Sequence, residues 1–121
     1  MQSVMVVEDD STMRALVKTL LDMEGYQART FEGQSAEELR RDLASAPPDL
    51  LIMDVHLHTL DGLDILHTLR QDGAYPGLQV IMTSGFDAKD RCLQAGANAF
   101  LMKPFMPDDL IRTITSLLAT Y

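Results

Sequence analysis

Four short, unbroken apolar runs punctuate the chain: Val4 to Val7, Leu50 to Met53, Val80 to Met82 and Phe100 to Met102. Each gives way to a polar residue that is not an ordinary turn former. A strand with one wet face alternates apolar and polar residues, whereas a parallel strand covered on both faces reads as a continuous apolar run. The runs therefore predict a buried parallel sheet, which needs helices against both of its faces.

Helical periods fill the intervals. Met13, Leu16, Val17, Leu20 and Leu21 share one face of a first helix, with Asp10 or Ser11 as its N-cap and Gly25 placed to end it. Gln27 to Phe31 alternates weakly and predicts an edge strand. Ser35 and Glu38 then have capping-box spacing for a helix that Pro47 and Pro48 keep from continuing. Gly62 to Gln71 predicts a third helix, with Leu63, Leu66 and Leu69 in register and the Asp72, Gly73 pair as its stop. Residues 87 to 95 predict a fourth, closed by Gly96. Pro107 opens the last, Asp108 and Asp109 stand where the helix dipole favours negative charge, and Leu110, Ile111, Ile114, Leu117 and Leu118 form its stripe. Five strands alternating with five helices predict an α/β fold, a doubly wound five-stranded parallel sheet of order 2-1-3-4-5. Its ligand crevice lies at the carboxyl ends of the strands.

The chain has 121 residues, the length of one domain with a single core. Cys92 is the one cysteine and has no intrachain partner, and no charged-then-apolar leader opens the sequence, so a cytoplasmic location is the expectation. No apolar stretch approaches the roughly 18 residues that cross a bilayer. Eighteen acids against ten Lys and Arg give a net charge of -8, which argues against this chain gripping a phosphate backbone unaided. The eight methionines fall mostly at apolar positions and predict core filling.

Glu8, Asp9 and Asp10 follow the first run, and Asp54 ends the third strand. The first and third strands are neighbours at the switch point of the predicted order, so Glu8, Asp9 and Asp54 converge, while Asp10 suits the helix cap. Two unit charges about 4 Å apart repel by about 4 kcal/mol at an effective dielectric near 20. Such a cluster calls for a cation or a proton. A few hard oxygen ligands, with water to complete an octahedron, favour Mg²⁺, and Mn²⁺ is an acceptable substitute. Thr83 and Lys103 end two further strands, so a hydroxyl and an ammonium join the carboxylates. That set suits a transferring phosphoryl group, whose oxygens need positive charge and donors on several sides.

The blocks "VVEDDSTMR", "LLIMDVHLHTLDG", "VIMTSG" and "GANAFLMKPF", in this order and spacing, resemble the signature blocks of the receiver domain of two-component response regulators. The resemblance runs from the first strand to the last helix and implies a flavodoxin-like (βα)5 receiver over residues 1–121, with an effector domain absent or removed. It implies that Asp54 accepts a phosphoryl group from a sensor histidine kinase or histidine phosphotransfer protein. Glu8, Asp9, Asp54 and the main-chain carbonyl of His56 would hold Mg²⁺, Thr83 would donate to the phosphoryl oxygens, and Lys103 would pair with Asp54 or its phosphate. Phe100 falls at the aromatic switch position, and the Lys103 to Pro104 bond is expected to be cis. The output would be a changed surface on the fourth helix, fifth strand and fifth helix, offered to an output domain, a target protein or a second copy.

Two departures stand out. Leu57 and His58 occupy the place of a common Met-Pro pair, which puts the geometry of the loop to Gly62 in question, and His56 occupies a variable position. His56 and His58 with Asp54 and Asp61 also compose a transition-metal set, which lacks a second, distant ligand pair of established spacing. His67 reads as a surface residue and Cys92 as inert packing or exposed helix surface. Two other functions compete. A phosphohydrolase of the haloacid dehalogenase type uses a strand-end Asp, but with a second Asp where this chain has His56. A pseudo-receiver interaction module would ordinarily lack an acid, the Thr or the Lys, all of which are present.

Overall fold

The computed structural model describes residues 2–32 and 35–119. Five strands, β1 (Ser3–Val7), β2 (Gln27–Phe31), β3 (Leu50–Asp54), β4 (Gln79–Ser84) and β5 (Ala99–Met102), alternate with five helices. The helices are α1 (Ser11–Met23), α2 (Ala36–Ser45), α3 (Gly62–Asp72), α4 (Lys89–Gln94) and α5 (Pro107–Leu117). All strand pairs are parallel and the order is β2-β1-β3-β4-β5. The expected doubly wound topology is therefore the observed one.

Successive side chains of a strand point to opposite faces, and the apolar runs split accordingly. Met5, Val7, Leu51, Met53, Val80 and Met82 pack with Leu39 and Leu43 of α2, Ile65, Leu66 and Leu69 of α3 and Cys92 of α4. Val4, Val6, Leu50, Ile52 and Ile81 pack with Val17 and Leu21 of α1 and Leu110 and Ile114 of α5. Both faces are dry, which is why the runs show no polar alternation. Truncating one of these buried Leu or Ile side chains to Ala costs about 2–5 kcal/mol.

The caps sharpen the sequence reading. Asp10, rather than Ser11, caps α1, its Oδ1 accepting from the Thr12 and Met13 N–H groups at 2.9 and 3.1 Å. Ser35 accepts from the N–H of Glu38 at 3.1 Å. Asp61 caps α3 through the N–H of Leu63 at 2.9 Å, and Gly73 closes it in the left-handed conformation. Helix α4 is shorter than the expected 87 to 95, and Ala88 at its start supplies no side-chain cap.

Two expectations about apolar residues need correction. Leu16 is 51% exposed, so the dry stripe of α1 is Val17 and Leu21 with Met13 and Leu20 at its margin. Met5, Met53 and Met82 do fill the core, but Met23, Met102 and Met106 lie on the surface. Cys92 is buried, with its thiol pushed up by that burial, and His67 is exposed. Among the described residues no helix is long and apolar enough to cross a membrane.

Candidate functional site

Three like charges in a row leave β1, and the structure sends them three ways. Glu8 continues the pairing with β2, its N–H donating to the Phe31 carbonyl at 3.1 Å, and turns its side chain into the protein with 4% exposure. Asp9 is half-buried and accepts from the main-chain N–H of His58 at 2.6 Å. Asp10 faces solvent as the α1 cap. Arg14, one turn into α1, donates to the Glu8 carbonyl at 2.8 Å and pins the junction.

Asp54 ends β3 in register with Thr83 on β4, and both are buried. Lys103 follows β5, two strands away from β3, and its ammonium reaches back to Glu8 Oε1 at 2.5 Å and Asp54 Oδ2 at 2.9 Å. The Lys103 N–H donates to the Ser84 carbonyl at 2.7 Å, and the Lys103–Pro104 bond is cis as expected. Phe100 is half-buried opposite Met82, packed on the core face that carries α3 and α4.

The electrostatics follow from burial. Desolvation pushes the Glu8 carboxyl above its ordinary value, against the hydrogen bond and charge of Lys103. Burial alone would lower the Lys103 ammonium, but the hydrogen bonds and charges of Glu8 and Asp54 outweigh it and hold the group above its ordinary value. The two directions agree, since the pairing favours the charged form of each partner and Glu8 rises because burial, joined by the nearby charge of Asp54, outweighs that pairing. One ammonium faces three carboxylates, and ligand oxygens of Glu8, Asp9 and Asp54 lie within 4.8 Å of one another. The donor set is hard, anionic and under-neutralised, which fits a divalent cation such as Mg²⁺ completed by water.

Sequence reasoning found the carboxylates and missed the two groups that shape their surroundings. A Cβ on Gly62 would stand 2.2 Å from the Asp54 carbonyl oxygen, so only glycine lets α3 begin this close to the acid. The Asp61, Gly62 pair carries that signal in addition to the helix start it predicts. The loop of residues 55–61, questioned for lacking Met-Pro, is instead closed by main-chain bonds. His56 and Asp61 form an antiparallel bridge, Leu57 donates to Leu60 at 3.2 Å, and Gly62 donates to Val55 at 2.8 Å. His56 gives Asp54 its main-chain N–H at 3.2 Å, and its ring meets Phe86 edge-on.

A family model described as the response regulator receiver domain matches residues 4–115. The chain is 34% identical over 105 residues to the KDP operon transcriptional regulatory protein KdpE of Escherichia coli K12, covering 87% of this chain and 46% of KdpE. It therefore spans less than half of that relative. It is 34% identical over 121 residues to the polar-differentiation response regulator DivK of Brucella anthropi, covering 97% of this chain and 96% of DivK. Among solved structures it is similar to the response regulator TrrA of Thermotoga maritima in complex with Mg(2+)-BeF. The TM-score is 0.84 at 26% identity, over 98% of this chain and 100% of that one.

Proposed function

Because this chain belongs to the family of response regulator receiver domains of two-component signalling, we propose that it is a phosphorylation switch whose acceptor is Asp54. The observation that carries this reading is the bridge of Lys103 between Glu8 and Asp54, with Asp9 alongside. It joins the ends of three strands around one carboxylate. Residues 1–121 are read as a single receiver.

In the proposed reaction an Asp54 oxygen attacks the phosphorus of a phosphohistidine on a sensor kinase or phosphotransfer protein. A P–O bond forms as the P–N bond breaks, and the imidazole, already protonated on its other nitrogen, leaves neutral with the electron pair. A Mg²⁺ ion held by Glu8, Asp9, Asp54 and the His56 carbonyl would supply positive charge to the phosphoryl oxygens, and Mn²⁺ could replace it. Lys103 adds its ammonium and Thr83 its hydroxyl to the same oxygens. Asp54 is held for attack by the Lys103 and His56 bonds, and its burial keeps bulk water at the rim.

Phosphorylation adds about -1.5 to -2 charge and three strong acceptors. Thr83 moves toward that charge, Phe100 rotates into the space it leaves, and the α4-β5-α5 surface changes shape as the population shifts between two packings. That surface would act on an output domain, a target protein or a second copy of the chain. The net charge of -8 leaves any nucleic-acid contact to a partner. The protein would act in the cytoplasm, catalysing only its own phosphorylation and dephosphorylation.

Incubation with acetyl phosphate tests the reading. The expected result is stoichiometric labelling that requires Mg²⁺ and is absent in Asp54→Asn. Labelling that persists in Asp54→Asn, or that ignores Mg²⁺, overturns it. Sustained turnover of an added phosphomonoester would favour a hydrolase instead.

A further inference from the structure

Lys103 neutralises two of the three acids in the cluster and leaves the third to another group. Its ammonium bonds Glu8 and Asp54, whereas Asp9 meets His58. The main-chain N–H of His58 donates to Asp9 Oδ2 at 2.6 Å, and the ring Nδ1 stands 3.4 Å from the same oxygen. The bridge between His56 and Asp61 folds residues 55–61 back on themselves, so that His58 lies at the turn. Its side chain is 85% exposed, so packing does not hold the ring in one rotamer.

We propose that His58 supplies an imidazole ligand to the cation held by Glu8, Asp9 and Asp54, and that this nitrogen makes the site prefer Mn²⁺ to Mg²⁺. The inference rests on reading those acids as a cation site. Adjacent ligands of an octahedral ion with bonds of about 2.1 Å lie about 3.0 Å apart. The observed 3.4 Å between Nδ1 and Asp9 Oδ2 is close to that spacing. The ring stands outside the group of oxygens that Glu8, Asp9 and Asp54 bring within 4.8 Å of one another, so it joins the ion by a side-chain rotation, which its exposure permits. Carboxylates alone are hard donors that suit Mg²⁺ and Mn²⁺ alike. Imidazole is a softer donor that first-row transition ions accept and that Mg²⁺, which keeps oxygen ligands and water, does not favour. The N–H bond adds an orienting role, because it aims Asp9 as the hydrogen-bonded carboxylates of metal sites are aimed.

Of the two histidines in the loop, only His58 is placed for this. The His56 ring lies edge-on to Phe86 with centroids 5.8 Å apart, and its link to the cluster is a main-chain one. His67, exposed on α3 and outside the site, serves as the control.

Mg²⁺ and Mn²⁺ affinities are measured on the metal-free full chain by calorimetry, for wild type, His58→Ala and His67→Ala. Pulsed electron paramagnetic resonance of bound Mn²⁺ then reports whether an imidazole nitrogen is coupled. The expected result is a coupled nitrogen in wild type and His67→Ala that disappears in His58→Ala. The ratio of Mn²⁺ to Mg²⁺ affinity should fall about tenfold in His58→Ala alone. An all-oxygen signal in wild type, which needs no variant to be folded, overturns the proposal while leaving the cation site standing. An unchanged affinity ratio in His58→Ala does the same. Failure of wild type to bind either ion sinks both this inference and the reading it rests on.

Discussion

The two ends of the sheet treat charge in opposite ways. At the amino end, Arg70 of α3 is half-buried and spreads its guanidinium over neutral acceptors: the Gly96 carbonyl at 3.0 Å, the Asn98 side chain at 3.0 Å and the Tyr75 carbonyl at 3.4 Å. Asn98 in turn holds β4, its Oδ1 accepting from Val80 N–H at 2.8 Å. The cation ties α3 to the loops entering β4 and β5. At the carboxyl end, three carboxylates gather around one ammonium that pairs with only two of them. The first arrangement is satisfied without a ligand, and the second is not. A buried polar network that is complete rigidifies, whereas one with surplus charge depends on what binds it. Stability and responsiveness are thus separated along the strand axis.

The largest break in this contrast is expected from Gly62→Ala, whose Cβ would overlap the Asp54 carbonyl oxygen. The displaced α3 start should lower unfolding free energy by about 3 kcal/mol. Urea titration measures that loss, and acetyl phosphate labelling should fall with it. Lys103→Ala comes next, because it strips the ammonium from two buried acids. A loss of about 2 kcal/mol is expected without Mg²⁺, the side chain being partly exposed. Added Mg²⁺ should stabilise this variant more than wild type, and labelling should persist slowly with a blunted conformational response. Arg70→Ala sharpens the contrast from the other end. It should cost about 1.5 kcal/mol through lost charge-assisted bonds, yet gain from Mg²⁺ only what wild type gains.

A smaller effect is expected from pH. The folded state holds the Glu8 proton above the ordinary value of 4.5, so between that value and its raised one the native chain binds more protons than the unfolded chain. Stability from this group therefore falls as pH rises through the window. Lys103 acts elsewhere: its contribution is complete below 10.5 and is lost as pH rises through its own raised value. In metal-free urea titrations from pH 4.5 upward, the difference between wild type and Glu8→Gln should grow across the Glu8 window and be reduced by Mg²⁺. The least change is expected from Asp10→Ala, which removes a cap worth about 1 kcal/mol and should leave Mg²⁺ affinity unaltered. A drop in affinity there would mean that the three consecutive acids are not divided as described.

The sheet was legible because its signal is local. Val4 to Val7 and Leu50 to Met53 are unbroken since each strand is covered twice, and no other strand environment explains them as simply. Asp54, Thr83 and Lys103 could be read as site residues because they end strands. Leu16 departs from expectation because helical period and hydropathy say which face is apolar, not how far the neighbouring element extends to cover it.

What the sequence determined by itself is the alternation of strands and helices and the edge of the sheet where charge gathers, both consequences of repeats two and 3.6 residues long. Tertiary structure alone decided the partners: that Glu8 turns in toward Lys103 from 95 positions away, that Asp9 takes the His58 N–H, and that Gly62 passes close to the Asp54 carbonyl. Those pairings depend on how separate loops converge, and no local repeat encodes a distance between groups brought together only by the closed sheet.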